Sequence, residues 1–361
     1  MLRSRLEIIL SPVVMNETYQ NPEVPGSFGG VDALYRASQG KIPRKEIRKW
    51  LEGIDAYTLH KPLRKKFPTN RVIVYSIDQQ WQSDLMDVGS LSIHNDGYRY
   101  ILVCIDILSK FSFAIALKTK RGEEIVSAFK TIFSKRKPQS LQTDQGKEYK
   151  NSKFQKFLKE NNVRFFTTFN QTKASISERY IRTLKTKMWK YFTAQNTFRY
   201  IDVLDKLVSS YNNTYHSSIK CMPSEVTLQN EREVWFTLYG DLENIPRKPC
   251  VFKPGDYVRI SRSKLTFEKG YTSNFTEELF IIKECVQRHI PVYRVVDLLD
   301  EPILGTFYAQ ELQRVQFKSE FKIEKILKKR KRSGILEYFV KYLGYPNKFN
   351  DWISATHMLS L

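Results

Sequence analysis

Three carboxylates far apart in the chain have settings that could support chemistry. Asp84 lies inside the run "WQSDLMDV", where an ionised group is costly to bury without a partner or a metal. Asp144 closes the short run "SLQT" and opens "DQGKEY"; locally this is a turn, because Asp tolerates tight backbone geometry and Gly supplies positive φ. Glu178 lies in "KASISERYIRTLK", with 33 residues between it and Asp144. Carboxylate oxygens are hard ligands suited to Mg²⁺, which takes a few carboxylates plus waters and phosphate oxygens. Three of them on separate elements could hold two ions about 4 Å apart, activating a nucleophile and stabilising a leaving oxygen in an in-line phosphoryl transfer.

Around Glu178 the spacing is suggestive in two ways. Arg182 and Lys185 follow it by four and seven residues, hence on the same helical face, where cations could hold phosphates. The same spacing also suits a plain i,i+4 ion pair between Arg182 and Glu178, and spacing alone does not choose. Other acids compete less well. Asp87 is three residues beyond Asp84, which on a strand puts it on the opposite face. Glu148 is read as orienting the Asp144 turn or pairing with a lysine, and His216 in "NTYHSSI" as bracing a helix end.

These residues need elements to carry them. "QWQSDLMDVGSL", "YRYILVCIDILS" and "FSFAIALKT" are three β-rich runs, with Asn95-Asp96-Gly97 as a hairpin signal. "GEEIVSAFKTIFSKR" is an amphipathic helix, "SLQT" a strand, "NSKFQKFLKENN" a helix and "VRFFTTF" a strand. Two helices follow, "KASISERYIRTLKTKMWKYFTAQ" and "TFRYIDVLDKLVSSYNNTYH", the second with Thr197 as N-cap. Three antiparallel strands and then alternating helix and strand describe a ribonuclease-H-like α/β core, a mixed five-stranded sheet with helices. Asp84 then falls on the first strand, Asp144 at the end of the fourth, and Glu178 on the following long helix.

The flanks read differently. Residues 1–24 are weakly patterned, an arm. Val31–Ser38 and "IPRKEIRKWLEG" form a helical pair, either a helix-turn-helix or a packing hairpin; Arg44, Lys45, Arg48 and Lys49 are by default a solvated face. "LHKPLRKKFPTN" is a basic linker. After "ENIPRKPC" the short runs "GDYVRI", "LFIIKECV", "VYRVVDLL" and "PILGTFYAQEL" read as a small β-barrel, and the last segment as a three-strand meander. The expected division is 1–70, 71–240, 250–316 and 319–361.

Composition narrows the partners. The 361 residues are 41% hydrophobic and carry a formal net charge of +21, which suits packed cores and a surface that attracts polyanions, nucleic acid above all. Ribosomal and membrane-surface proteins share that charge. Cys104, Cys221, Cys250 and Cys285 are scattered, without finger spacing, so neither a disulfide framework nor structural zinc is expected, and the setting is read as reducing. With no run of 18 apolar residues and no signal-peptide pattern, no membrane is expected and the protein is read as intracellular.

The segments "WQSDL", "TDQGKEYKNSKFQKFLKENNV" and "TKASISERYIRTLK" resemble the catalytic core of retroviral-type DDE integrases. They look closest to integrases of Maverick/Polinton DNA transposons and related transposon-derived proteins, and the similarity runs through "YNNTYHSSI" to about residue 235. The resemblance implies a triad of Asp84, Asp144 and Glu178 holding two Mg²⁺ (or Mn²⁺) ions. It also implies DNA contacts from Lys173, Arg179, Arg182 and Lys185, and a structural role for Asp106. Partners would be element ends and target DNA, bridged by a homo-oligomer in the nucleus. The N-terminal His-His-Cys-Cys zinc module of retroviral integrases is not matched, since only His60 and no cysteine precede the core.

"FKPGDYVRI…FEKGYTSNFTEELFII…YRVVDLLDEPILGTFYAQEL" resembles the small DNA-binding barrel of the same integrases. "EFKIEKIL…YFVKYLGYPNKFNDWI" resembles a chromodomain, which traps a methyl-ammonium between aromatic faces. The cage positions would be Phe321, Tyr342 and Tyr345, with Tyr342 standing where that family usually has Trp; Trp352 would be structural. A methylated histone tail, another chromatin protein or mere packing are the readings of this module. Lys328–Arg332, "KKRKR", is a nuclear-localisation signal or a basic hairpin tip. The alternatives to an active integrase are a domesticated, non-catalytic DNA- and chromatin-binding protein and a plain nuclease on the same fold.

Overall fold

The computed structural model describes residues 13–63, 66–144, 146, 148–167, 175–240, 242, 246–262, 268 and 271–357. The chain divides into two compact units, one of residues 70–246 and one joining residues 1–69 to 247–361.

The second of these begins with four short helices: α1 (residues 13–20), α2 (Val31–Ala37), α3 (Arg44–Leu51) and α4 (Asp55–His60). The expected pair is α2 and α3, with Pro43 as the N-cap of α3. Met15, Tyr19, Leu34, Ile47 and Leu51 make its core. Arg44, Lys45, Arg48 and Lys49 are all exposed, a solvated face. Two helices were not expected: α1 lies in the stretch read as an arm, and α4 lies in a stretch given no element, meeting the expected linker only at Leu59 and His60. Alone, a six-residue helix such as α4 is not stable in water; here tertiary contacts hold it, because Asp55 pairs with the buried Arg259 at 2.9 Å and the Leu59 carbonyl accepts from Asn274 N–H at 2.7 Å.

Residues 70–246 contain the mixed five-stranded sheet that the sequence implied. Strands β1 (Gln80–Asp87), β2 (Tyr100–Asp106) and β3 (Ser112–Leu117) are antiparallel, whereas β4 (Ser140–Thr143) and β5 (Arg164–Thr167) add in parallel, giving the order β3-β2-β1-β4-β5. Strand alternation sorts the residues onto two faces. Trp81, Leu102 and Cys104 pack with α5 (Gly122–Phe133) and α6 (Ser152–Glu160), through Phe129, Phe154 and Phe157. Met86, Ile101 and Val103 pack on the other face with α7 (Ser175–Gln195) and α8 (Leu204–Asn212), through Tyr180, Leu184, Met188 and Val208. A last helix, α9 (Glu231–Tyr239), joins Val74, Ile107 and Ile219 in a smaller cluster.

The Thr197 cap needs correction. Helix α8 starts only at Leu204, because the Asn95 side chain accepts from the N–H groups of Tyr200 and Ile201 and holds that stretch as turns. Thr197 instead accepts from Arg199 N–H within its own turn.

Beyond residue 247, strands β6 (Tyr257–Ile260), β7 (Phe280–Val286), β8 (Val292–Val296), β9 (Phe307–Tyr308) and β10 (Leu312–Arg314) form an antiparallel sheet in the order β10-β6-β7-β8-β9. The two edge strands follow one another through a single 3₁₀ turn, so the sheet curls toward closure around Val258, Phe280, Ile282 and Tyr293. Cys250 and Cys285 form a disulfide, Cα atoms 6.5 Å apart, which corrects the expectation of unpaired cysteines; the fold brings together two residues whose separation of 35 gave no such signal. The final meander is β11 (Ile323–Arg332), β12 (Ile335–Tyr342) and β13 (Asp351–Ser354). Its tip is Ser333-Gly334, both at positive φ, so "KKRKR" lies along β11 and not in the turn.

Candidate active site

On β1, Gln82, Asp84 and Met86 share the face covered by α7, while Asp87 points the other way and accepts from Gly89 N–H. Asp84 is partly buried there and accepts from Leu85 N–H at 2.7 Å. Burial pushes its carboxyl up to about 6, reinforced by the negative charges of Asp144, Glu178 and Glu148. Asp144 follows β4, and its carboxylate accepts from Gly146 N–H at 3.0 Å, an Asx turn. The Glu148 carboxyl folds back over Gly146, where a Cβ would come within 2.7 Å of its oxygen, so a larger residue there would push the Glu148 side chain aside. Glu148 therefore lies nearer the other carboxylates than its reading as a turn residue implied.

Sequence reasoning missed the residues that align the three elements. Gln82, Gln142 and Ser177 are all buried, each one or two positions before an acid. Gln82 accepts from Ser177 N–H at 3.1 Å and donates to the Gln142 side chain at 3.2 Å; Gln80 also donates to Gln142, at 2.7 Å. One buried amide network thus ties β1, β4 and the start of α7 together. The signal was present: a glutamine stands two residues before Asp84 and two before Asp144, each on a strand that also buries Trp81 or Leu141.

Asp84 lies within electrostatic reach of Asp144, Glu178 and Glu148, and carboxylate oxygens are hard donors of the kind a divalent ion takes. The expected ligand set is not drawn together in advance. Among the described residues, no three His, Cys, Asp or Glu side chains stand close enough to share a metal ion.

The cations sort by helical face. Glu178 and Arg182 are exposed, Lys185 half-exposed, and no ion pair joins Glu178 to Arg182, so the local-pair reading of that spacing is not realised. Arg179 is turned away by its step around the helix; its charge is felt at Lys110, Tyr211 and His216. Lys173 lies outside the described residues. His216 is a brace, as expected: its ring contacts the Ser218 hydroxyl at 2.9 Å, and burial, chiefly, lowers its pKa. Asp106 is fully buried, accepting from Ser109 and Asp78 N–H groups, a structural role.

In the terminal meander Phe321, Tyr342 and Tyr345 come together, with ring centroids 5.5 to 6.4 Å apart. Tyr345 is also committed to the barrel, since its hydroxyl accepts from Leu279 N–H at 3.1 Å. Gly344 lies so close to Glu277 that a Cβ would sit 2.7 Å from the Glu277 Cβ. Trp352 makes a tilted contact with Phe339 under the Arg330 guanidinium, a packing role.

Two parts of the chain match known domain families. Residues 76–171 match the integrase core domain, and residues 321–361 match the chromo (chromatin organisation modifier) domain. The transposon-derived protein F54H12.3 of Caenorhabditis elegans is 35% identical over 189 residues, 52% of this chain and 63% of that protein. The Pol-related polyprotein of a mouse intracisternal A-particle is 33% identical over 115 residues, 31% of this chain and 13% of its own length. The chain thus spans less than two thirds of these relatives. A chain of the simian T-cell lymphotropic virus intasome, solved with the PP2A regulatory subunit B56 gamma, superimposes with a TM-score of 0.55 at 17% identity, covering 80% of this chain and 95% of that one. The shared fold is that of a retroviral-type integrase, and the sequence relatives include a transposon-derived protein.

Proposed function

We propose that this chain is the integrase of a mobile DNA element, Maverick/Polinton-like, acting in the nucleus as a homo-oligomer on element ends and target DNA. The reading divides the chain into an N-terminal helical region (1–70), a catalytic core (71–240), a DNA-binding barrel (250–316) and a chromodomain-like module (319–361). The observation that supports it is Asp84: a half-buried carboxylate on the central strand whose pKa is raised by burial and by the charges of Asp144 and Glu178 on two other elements.

Asp84, Asp144 and Glu178 would hold the divalent ions, Mg²⁺ or Mn²⁺, two in number. When bound, such ions polarise the scissile phosphate and assist both the attacking and the leaving oxygen. The chain's own residues bind and align. Arg182 and Lys185 present charge to DNA phosphates along the face of α7 that carries Glu178. The Gln82–Gln142–Ser177 network keeps the carboxylate-bearing elements in register. The reaction sequence is hydrolysis near the 3′ end of element DNA, then attack of the freed 3′-hydroxyl on target DNA, without a covalent protein–DNA intermediate. Phe321, Tyr342 and Tyr345 are proposed as the contact for a methylated histone tail.

Calorimetric titration of Mg²⁺ tests the metal assignment. Binding to wild type that disappears in Asp84→Asn and Glu178→Gln supports it; undiminished binding in both variants refutes it. A non-catalytic DNA- and chromatin-binding protein would bind DNA without cleaving it, and a plain nuclease would cleave without joining.

A further inference from the structure

Helix α7 carries more than the phosphate contacts already assigned. Stepping from Glu178 by four, seven and eleven residues gives Arg182, Lys185 and Trp189, one continuous face. Trp189 is 48% exposed, unusual for the largest apolar side chain. It is anchored: its ring makes a tilted contact with buried Phe192, centroids 5.4 Å apart, while about half of its side chain stays exposed. Lys190 is exposed beside it. Among the described residues Arg182, Lys185 and Lys190 have no ion-pair partner, and Glu178 is the only acid on the helix. An open indole on a row of uncompensated cations is complementary to a polyanion with apolar ring surfaces. It is poorly suited to a protein patch of mixed charge.

We propose that Trp189 is a DNA-contacting residue that packs on the deoxyribose surface of the duplex between phosphates held by Lys185 and Lys190. This rests on the integrase reading and extends it along the substrate. Eleven helical residues at about 1.5 Å each place Trp189 roughly 16 Å along the helix from Glu178. At about 3.4 Å per step that corresponds to the duplex about five base pairs from the reacting phosphate. The contact is with sugar, so it adds affinity and register without sequence preference.

The test compares full-length wild type, W189A, W189F, K185A and F198A on a 30-base-pair duplex, by fluorescence anisotropy over a salt series. Phe198 is an exposed neighbour of Phe192, off the basic face, and serves as the control. W189A should weaken binding about five- to tenfold with an unchanged salt slope, near the low end for aromatic contacts with nucleic acid. W189F should keep most of the affinity, F198A should match wild type, and K185A should lower the slope by about one. A benzophenone photo-crosslinker placed at position 189 should label DNA about five base pairs from the processed end. Wild-type affinity in W189A, labelling elsewhere, or loss of self-association by W189A in sedimentation would overturn the inference, the last pointing to a second copy as the occupant. If wild type itself neither binds nor joins DNA, the integrase reading fails instead.

Discussion

Replacing Asp84 by Asn should stabilise the metal-free protein, and the size of the effect follows from its setting. Folding raises the Asp84 carboxyl from the ordinary 3.8 to about 6, mainly by burial and then by Asp144, Glu178 and Glu148. A raised acid means that the folded state holds its proton more tightly than the unfolded one. The folded state is therefore unpenalised below about pH 4, loses stability as pH rises from 4 to 6, and carries the whole cost above that. At roughly 1.4 kcal/mol per pH unit the full cost is about 3 kcal/mol, reduced to about 2 because Asp84 is only partly buried. Asn keeps the acceptor for Leu85 N–H and removes the charge. For a unit of this size, thermal denaturation in EDTA at pH 7.5 should show D84N melting about 4–8 °C above wild type. The gap should close near pH 4. Saturating Mg²⁺ should raise wild type and leave D84N almost unmoved. A D84N protein that melts lower than wild type at pH 7.5, or higher by the same amount at pH 4, would refute the reasoning.

Three further outcomes are expected. Burial, aided by Asp297 and opposed by Lys348, raises Glu278 to about 7, so the unit containing it should lose stability as pH climbs from about 4.5 to 7; E278Q should be more stable than wild type by about 1 kcal/mol at pH 8, discounted for partial exposure, and no more stable than wild type at pH 4. Gln82→Met deletes the hydrogen bonds to Ser177 and Gln142 and should cost about 1–2 kcal/mol by denaturant titration. Its strand-transfer rate should fall about tenfold with DNA affinity unchanged, since misalignment of the carboxylates affects the chemical step; an unchanged rate contradicts the positioning role. Calorimetric binding of a trimethyl-lysine histone peptide should be lost in F321A, and absence of wild-type binding at millimolar peptide would remove the cage assignment.

Much of the core was legible because its signals are periodic. The alternation in "QWQSDLMD" sets Asp84 and Asp87 on opposite faces, and the 3.6-residue repeat in α7 puts Arg182 and Lys185 in line with Glu178. The failures share a cause, dependence on distant partners. Thr197 looked like a cap, yet Asn95, a hundred residues earlier, holds the following stretch out of a helix. The helix at Asp55–His60 went unread, its last two residues taken as the start of the linker, because its support comes from Arg259 and Asn274. Cys250 and Cys285 gave no spacing signal because the barrel, not the local sequence, brings them together. Gln82 and Gln142 were passed over because an amide becomes informative only when both of its partners are known.

The most direct test of the central claim is joining itself: purified full-length protein, Mg²⁺, a labelled linear duplex and a second, unlabelled DNA, with D144N in parallel. The account predicts labelled 3′ ends covalently joined to the second DNA by wild type, and a loss of at least about a hundredfold in D144N, whose carboxylate is assigned to the ions that stabilise the transition state. Equal joining by D144N would contradict the account.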